Sequence, residues 1–238
     1  MWDAVRICAE SLEQTSCPMQ DWEDRLLELD RQNSEAWIRV AANRLLAGDS
    51  QAALRAMQRA ASASETRVYW TESIEMIERG FAAGSNYAFA ERAAFALVIA
   101  GSNKPKYLVY YNMCKEESAT SKDWAYACLT YGELVERQGR TELGQISARA
   151  IQKQALELLE DDERLAAVVA RQEQVRRNRR EAVRIRHRLS EVLKVSIPSI
   201  FFGYLAAVRT HGEGMAEAHL QKETDRWISQ NKELYCIP

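Results

Sequence analysis

The sequence predicts an all-α protein built of antiparallel helix pairs. Three observations carry that prediction. Of 238 residues only 4 are proline and 10 glycine, while Ala, Leu, Glu, Arg and Gln are plentiful, so most stretches can propagate a helix. Apolar residues recur at the three- and four-residue spacing of a helix face rather than in alternation. Glycines and side chains with short polar acceptors punctuate those stretches where helix ends need them.

Trp2–Glu13, with Val5, Ile7, Cys8 and Leu12 on one face, reads as the first helix. Pro18 is placed to start the second, Pro18–Arg31, which turns Trp22, Leu26, Leu27 and Leu29 inward. Ser34 is expected to cap Glu35–Leu46, and Asp49 or Ser50 to cap Gln51–Ser62 after a stop at Gly48. Glu65–Ala82 follows. Tyr87–Ala100 is apolar on nearly every face and predicts a buried helix ended by Gly101. Lys104–Cys114 has a residue preference compatible with strand, but its neighbours favour helix. Asp123 and Thr141 cap two further helices across Trp124–Glu157. In Asp161–Lys194, Leu165, Val168, Val175, Ala182, Leu189 and Val192 form a narrow seam at near-heptad spacing, as in one long helix packed along one side. Val195–Val208 reads as a short apolar hairpin or helix, and Glu213–Gln230 as a last helix with Met215, Leu220, Trp227 and Ile228 on its apolar face.

Leu27–Trp37, LELDRQNSEAW, resembles the junction between two tetratricopeptide-type (TPR) repeats. With Trp37 at repeat position 4, Val40, Ala41, Gly48, Ala53, Met57 and Ala60 fall at 7, 8, 15, 20, 24 and 27, where that repeat takes apolar or small residues. With Gly139 at position 15, Tyr131, Gly132, Gly144, Ala148 and Ile151 fall at 7, 8, 20, 24 and 27. Positions 11 (Arg44, Val135) and 32 (Glu65, Leu159) depart from the repeat's Tyr and Pro. The resemblance covers about half the chain and implies a TPR-like right-handed α-solenoid. The division that follows is a helical-repeat region over 1–159, then a long charged helix and a small helical cap over 160–238. The LELDRQNSEAW junction and the later Cys128 within an Ala127–Leu129 ACL tripeptide also resemble helical-repeat proteins exported by proteobacteria. That resemblance implies a periplasmic home and no activity.

The totals exclude little else. An apolar fraction of 47% and a charged fraction of 28% suit a soluble globular chain. A net charge of -2 excludes a globally basic nucleic-acid binder, though not a local basic patch. Val195–Val208 is too short to span a bilayer and is broken by Pro198 and Gly203, so no membrane insertion is expected. No signal peptide is read at Met1. Because a chain that starts directly in a helix is also what remains once a leader is removed, a periplasmic home is favoured only slightly over a cytoplasmic one. The five cysteines bear on this. Cys8 with Cys17, and Cys114 with Cys128, are spaced to staple two helical hairpins if oxidised, or are buried thiols if not, and Cys236 is left over.

No nucleophile–base pair, phosphate cradle or zinc motif is present, so neither catalytic residues nor cofactor nor metal is expected. His211, Glu213, Glu217 and His219 are crowded together but lack a metal-site spacing, and read as capping and surface residues. Arg171–Arg188 holds eight Arg against two Glu. At about 100° per residue those arginines surround the helix rather than line one face, which favours a solvated helix over a phosphate-binding stripe. Tyr107, Tyr110, Tyr111 and Trp124 belong to the densest aromatic region, and either fill the core or anchor a partner. The function expected is a non-enzymatic protein-interaction module. It would hold its partner through the groove, with Tyr107, Tyr110, Tyr111 and Trp124 as anchors, or through a stripe of Arg176, Arg180 and Arg184. The alternatives are an exported, disulfide-stapled structural or toxin-protective protein and, last, a metal enzyme. Nucleic acid is not the expected partner, and the long helix's seam would also allow a homodimer.

Overall fold

The computed structural model describes residues 19–102, 105–182 and 187–231. Among them are twelve helices and no strand, so the chain is all-α as its sequence predicts. The first six are α1 (Met19–Asp30), α2 (Ser34–Leu46), α3 (Ser50–Ala61), α4 (Trp70–Gly84), α5 (Phe89–Ser102) and α6 (Tyr107–Ser118). The rest are α7 (Lys122–Gln138), α8 (Glu142–Leu159), α9 (Asp162–Ala182), α10 (His187–Ser196), α11 (Pro198–His211) and α12 (Glu213–Gln230). The helix expected at Trp2–Glu13 lies outside the described residues, as does the join between α9 and α10, so the single long helix expected over Asp161–Lys194 is described only as those two pieces.

The helices form two compact units. One takes the described residues of Met1–Val68, Pro105–Gly139 and Leu143–Glu173; the other takes those of Tyr69–Lys104, Arg140–Glu142 and Gln174–Pro238. The boundary expected at residue 159 is therefore corrected. Residues 69–102 carry no repeat pattern, and their apolar stripe packs with C-terminal helices instead of with their sequence neighbours.

In the first unit α2 and α3 form a hairpin. Gly48 makes the turn at φ +80°, a left-handed conformation that favours glycine, and Asp49 caps α3 by accepting from the Ala52 amide at 2.9 Å. Ala41, Ala53, Met57 and Ala60 are fully buried, so small side chains bring the two backbones together. The outer side of the hairpin carries α7 against α3, and α6 packs against both α7 and α2. Helices α7 and α8 approach so closely at Gly132 that a Cβ there would stand 2.9 Å from the Ala148 carbonyl oxygen. Beyond them Leu129, Ala155, Leu156 and Val168 join α7, α8 and α9 in a smaller apolar cluster.

The second unit pairs α4 with α5 and α11 with α12, with α10 packed on α5, α11 and α12. Its core includes Ile74, Ala93, Ala96, Leu193, Phe201, Leu205 and Leu220, and Phe89 stacks edge-on against Phe201. Glu78 and Arg92 form a largely buried ion pair across α4 and α5 at 2.9 Å. Three expectations are corrected here. Helix α5 is not buried all round: Ala93, Ala96 and Ala100 face the core, whereas Phe95, Val98 and Ile99 are exposed. On α10, among the side chains described, Leu193 and Lys194 are buried and Val192 is exposed. On α12 Met215 is exposed and Ala216, Leu220 and Thr224 point inward. On α5 and α12 the inward positions carry alanines, which permit the closer approach, and bulkier neighbours are left outside.

The tight crossing at Gly132 gives a test. Gly132→Ala has a backbone oxygen in its way, which cannot move without moving α8. The expected loss is about 1–3 kcal/mol of unfolding free energy, read from denaturant titration with an unchanged m-value. A loss near zero would mean that α7 and α8 separate freely at this point.

Candidate functional site

The Leu27–Trp37 junction folds around Asn33, which is fully buried. Asn33, rather than Ser34, is the N-cap of α2: its Oδ1 accepts from the Glu35 amide at 3.1 Å, and Ser34 is the first helical residue. The same oxygen accepts from the Arg67 amide at 2.9 Å. The Asn33 Nδ2 donates to the Arg67 carbonyl at 2.7 Å and to Asp30 Oδ2 at 2.9 Å. Backbone bonds reinforce this, with the Ser34 amide donating to the Glu65 carbonyl at 2.8 Å and the Glu65 amide to the Gln32 carbonyl at 3.2 Å. The segment after α3 is thereby tied to the start of α2 through an isolated parallel bridge at Asn33 and Glu65.

Capping at Asn33 sets the helical register that turns Glu35 inward. Its side chain is 1% exposed. Tyr131 on α7 donates its hydroxyl to Glu35 Oε1 at 3.0 Å, and Thr66 stands at 3.5 Å from the same oxygen. Oε2 is buried with no hydrogen-bond partner among the described residues. Burial pushes the Glu35 carboxyl up to about 7 from its ordinary 4.5, against the opposing pull of the Tyr131 hydrogen bond, the Arg39 charge and Thr66. Burial likewise drives the Tyr131 hydroxyl far above its ordinary range, reinforced by Glu35, so Tyr131 stays a donor. Tyr110 is pushed up by burial too, with Arg39 beside it opposing. Glu35, Tyr131, Tyr110 and Tyr107 thus form a buried cluster of one carboxyl and three phenols, with Arg39 as the adjacent cation.

This places the aromatic residues singled out in the sequence. Tyr107, Tyr110 and Trp124 are core residues of the first unit, and Tyr111 is half-buried against it. The anchor role is corrected for the first three, because a ring sealed in the core presents nothing to a partner. The large apolar side chains of α6 that face out are the aliphatic Leu108, 71% exposed, and Val109, 43% exposed. Cys114 and Cys128 are joined in a disulfide with Cα atoms 5.8 Å apart, linking α6 to α7. Cys8 and Cys17 lie outside the described residues, as do Arg184 and the side chains of Arg176 and Arg180. Nearer the start of α9, Arg164 and Arg171 are engaged by Glu133 and Glu136 of α7 at 2.6 and 3.1 Å. In the second unit His211 and His219 are exposed, Glu213 accepts from the Glu142 amide at 2.7 Å, and Glu217 accepts from the Tyr204 hydroxyl at 3.2 Å. No group of three or more His, Cys, Asp or Glu side chains that could hold a metal ion occurs among the described residues.

Comparison with known protein families, curated proteins and solved structures finds no match.

Glu35 carried a signal that was passed over. An acidic residue in the first turn of a helix ordinarily faces water and the helix dipole. Glu35, however, shares its stripe with Ile38 and Ala42, both buried, and that periodicity places it inward.

A carboxyl with a folded-state pKa near 7 and an unfolded value of 4.5 binds more protons folded than unfolded throughout that interval. Stability therefore falls as pH rises from about 4.5 to about 7 and levels off above, with Glu35 accounting for about 3 kcal/mol of the fall. Glu23, also raised by burial, adds a slope of the same sign. Glu35→Gln is expected to remove most of the dependence and to be more stable than wild type at pH 8. Denaturant titrations of both proteins from pH 4.5 to 8.5 measure this, and parallel curves would show that Glu35 does not titrate with folding.

Proposed function

We propose that the protein is a non-enzymatic protein-binding module, stapled by a disulfide and built on two divergent tetratricopeptide-type repeats, α2/α3 and α7/α8. The observation that carries this reading is the match between repeat positions and burial. Val40, Ala41, Ala53, Met57 and Ala60 in one hairpin, and Tyr131, Gly132, Gly144, Ala148 and Ile151 in the other, are all buried. The second helix of the first hairpin, α3, packs on the first helix of the other, α7, which is the neighbour relation of successive repeats. On this reading α4, α5 and α6 are an insertion between the two repeats.

The partner surface we assign is the outward face of α6. Leu108 and Tyr111 stand three residues apart on it, with Val109 beside them, and the neighbouring Asn112 and Lys115 are exposed and polar. This is an apolar strip with a polar rim, suited to the apolar side of a partner's helix or extended segment. Because Leu108 contributes little to the core, Leu108→Asp is expected to leave the melting temperature unchanged. It is expected to release a protein that wild type retains at equal stoichiometry from its own cell extract after nuclease treatment. Equal retention by the variant would remove α6 from the interface.

The Cys114–Cys128 disulfide favours an oxidising compartment. It supports equally the second reading, an exported protein whose task is structural or toxin-protective. Protein taken from its own cells and alkylated without reduction under denaturing conditions is expected to leave Cys114 and Cys128 unmodified. Alkylation of both before reduction would remove the oxidising compartment from either reading.

A further inference from the structure

Glu35 is enclosed on four sides. From its own helix comes Arg39, from α6 comes Tyr110, from α7 comes Tyr131, and from the segment after α3 comes Thr66, with Tyr107 behind Tyr110 and Tyr131. Three of these walls are helices that contribute residues to the core of the first unit. The fourth is not. Residues 62–68 carry no helix. Among the bonds that hold that segment are Asn33 to the amide and carbonyl of Arg67, the Ser34 amide to the Glu65 carbonyl, the Glu65 amide to the Gln32 carbonyl, the Ser64 hydroxyl to Gln32 Oε1 at 3.4 Å, and Gln138 Nε2 to the Ser64 carbonyl at 3.2 Å. Its one polar side-chain contact with the carboxyl is the long 3.5 Å approach of Thr66.

We propose that this junction is a proton-operated latch, in which residues 62–68 stay closed over Glu35 while its carboxyl is protonated and open to water when it ionises. A buried carboxylate needs more acceptor satisfaction than its acid form. Here Oε1 is served by Tyr131 and Thr66, while Oε2 is buried with no partner among the described residues. An ionised Glu35 must therefore draw water to Oε2 or bear the full penalty of burial. Water entering past α2, α6 or α7 would break helix packing. Water entering past 62–68 breaks hydrogen bonds of a segment that carries no helix and leaves the helix packing intact, and so this wall yields first. Burial raises the carboxyl into the neutral range, which sets the operating window between mildly acidic and mildly alkaline pH. Burial drives the Tyr110 and Tyr131 hydroxyls upward, away from that window, so both remain donors beside Glu35.

Residue-resolved amide hydrogen exchange of the full chain between pH 5 and 9, corrected for intrinsic exchange chemistry, tests this. The amides of Ser34, Glu65 and Arg67 are expected to lose protection about 100-fold between pH 5 and 8 and to level off above. At every pH these amides are expected to exchange well ahead of core amides such as that of Met57, which report global unfolding. Glu35→Gln is expected to hold the segment at its low-pH protection throughout. Three results would each overturn the latch: pH-independent protection of 62–68 in wild type, the same pH dependence in Glu35→Gln, or protection of 62–68 equal to that of Met57 throughout, which shows global rather than local opening. Should Glu35→Gln not fold, the carbon-13 titration of the Glu35 carboxyl in wild type decides. A midpoint matching the exchange transition supports the latch, and one displaced from it by a pH unit or more overturns it.

Discussion

Every hydrogen-bonding position of the Asn33 side chain is occupied. Its oxygen takes the amides of Glu35 and Arg67, and its nitrogen gives to the Arg67 carbonyl and to Asp30. No other residue type supplies that set at that size. Asp lacks the two donors, Ser has one hydrogen to give, and Gln places its amide a methylene too far. The first consequence is the register of α2, because the cap fixes which residue is first in the helix and hence which stripe faces the core. A second is the course of the chain after α3, since residues 65–67 contribute no buried apolar side chain to the first unit and are tied to it mainly through backbone bonds. The third is Glu35 itself, which sits two residues beyond the cap and is carried inward with the stripe.

Once Glu35 is inside, the opposite wall has to answer it. Tyr131 does so only if α7 stands at the correct height, and two features of the sequence control that height. Gly132 lets α8 close on α7 at a backbone-to-backbone distance no side chain would allow. The Cys114–Cys128 bridge fixes α6 against α7 one turn from both Tyr110 and Tyr131. The inward stripe of α6 is Tyr107, Tyr110 and Cys114, and that of α7 is Cys128, Tyr131 and Val135, so the cross-link and the phenols share the same faces. In the chain-entropy account a bridge closing so short a loop contributes about 3 kcal/mol. That is comparable to what the buried carboxyl withdraws at neutral pH, so the staple and the strain it offsets occupy one layer of the fold.

The all-α class was legible because it rests on composition and period, both local properties. Helix ends were legible to within a few residues wherever a glycine or capping side chain marks them, as at Gly48, Asp49 and Gly139. The interior positions of the two hairpins were legible from Ala41, Ala53, Ala60 and Gly132, because small residues at fixed spacing leave no other use for a buried face. Three things were not. The tyrosines of α6 could be counted but not oriented, since Leu108 and Val109 are as apolar as the rings between which they lie, and which set turns inward depends on what α7 offers. Glu35 was hidden by the ordinary preference of acids for the first helical turn. The grouping of residues 69–102 with α10, α11 and α12 could not be read at all, because it depends on apolar stripes of α4 and α5 sharing a core with Leu193, Phe201 and Leu205, about a hundred residues later.

That last pairing raises the question of how a chain can leave one compact unit at Val68 and return to it at Pro105 without weakening it. Both exits are gripped by the unit they leave. Arg67 is held by two bonds from Asn33, and Pro105 and Tyr107 are buried on the return. With both ends pinned, the cost of the excursion is the entropy of closing one loop, which grows only with the logarithm of its length. A longer or shorter excursion would change that cost little, so the first unit constrains the ends of the insertion and not its contents. The contents are then free to be selected for their own packing, which explains why α5 faces its core with alanines and wears Phe95, Val98 and Ile99 on the outside while the small-residue faces of α2, α3 and α7 in the first unit remain intact.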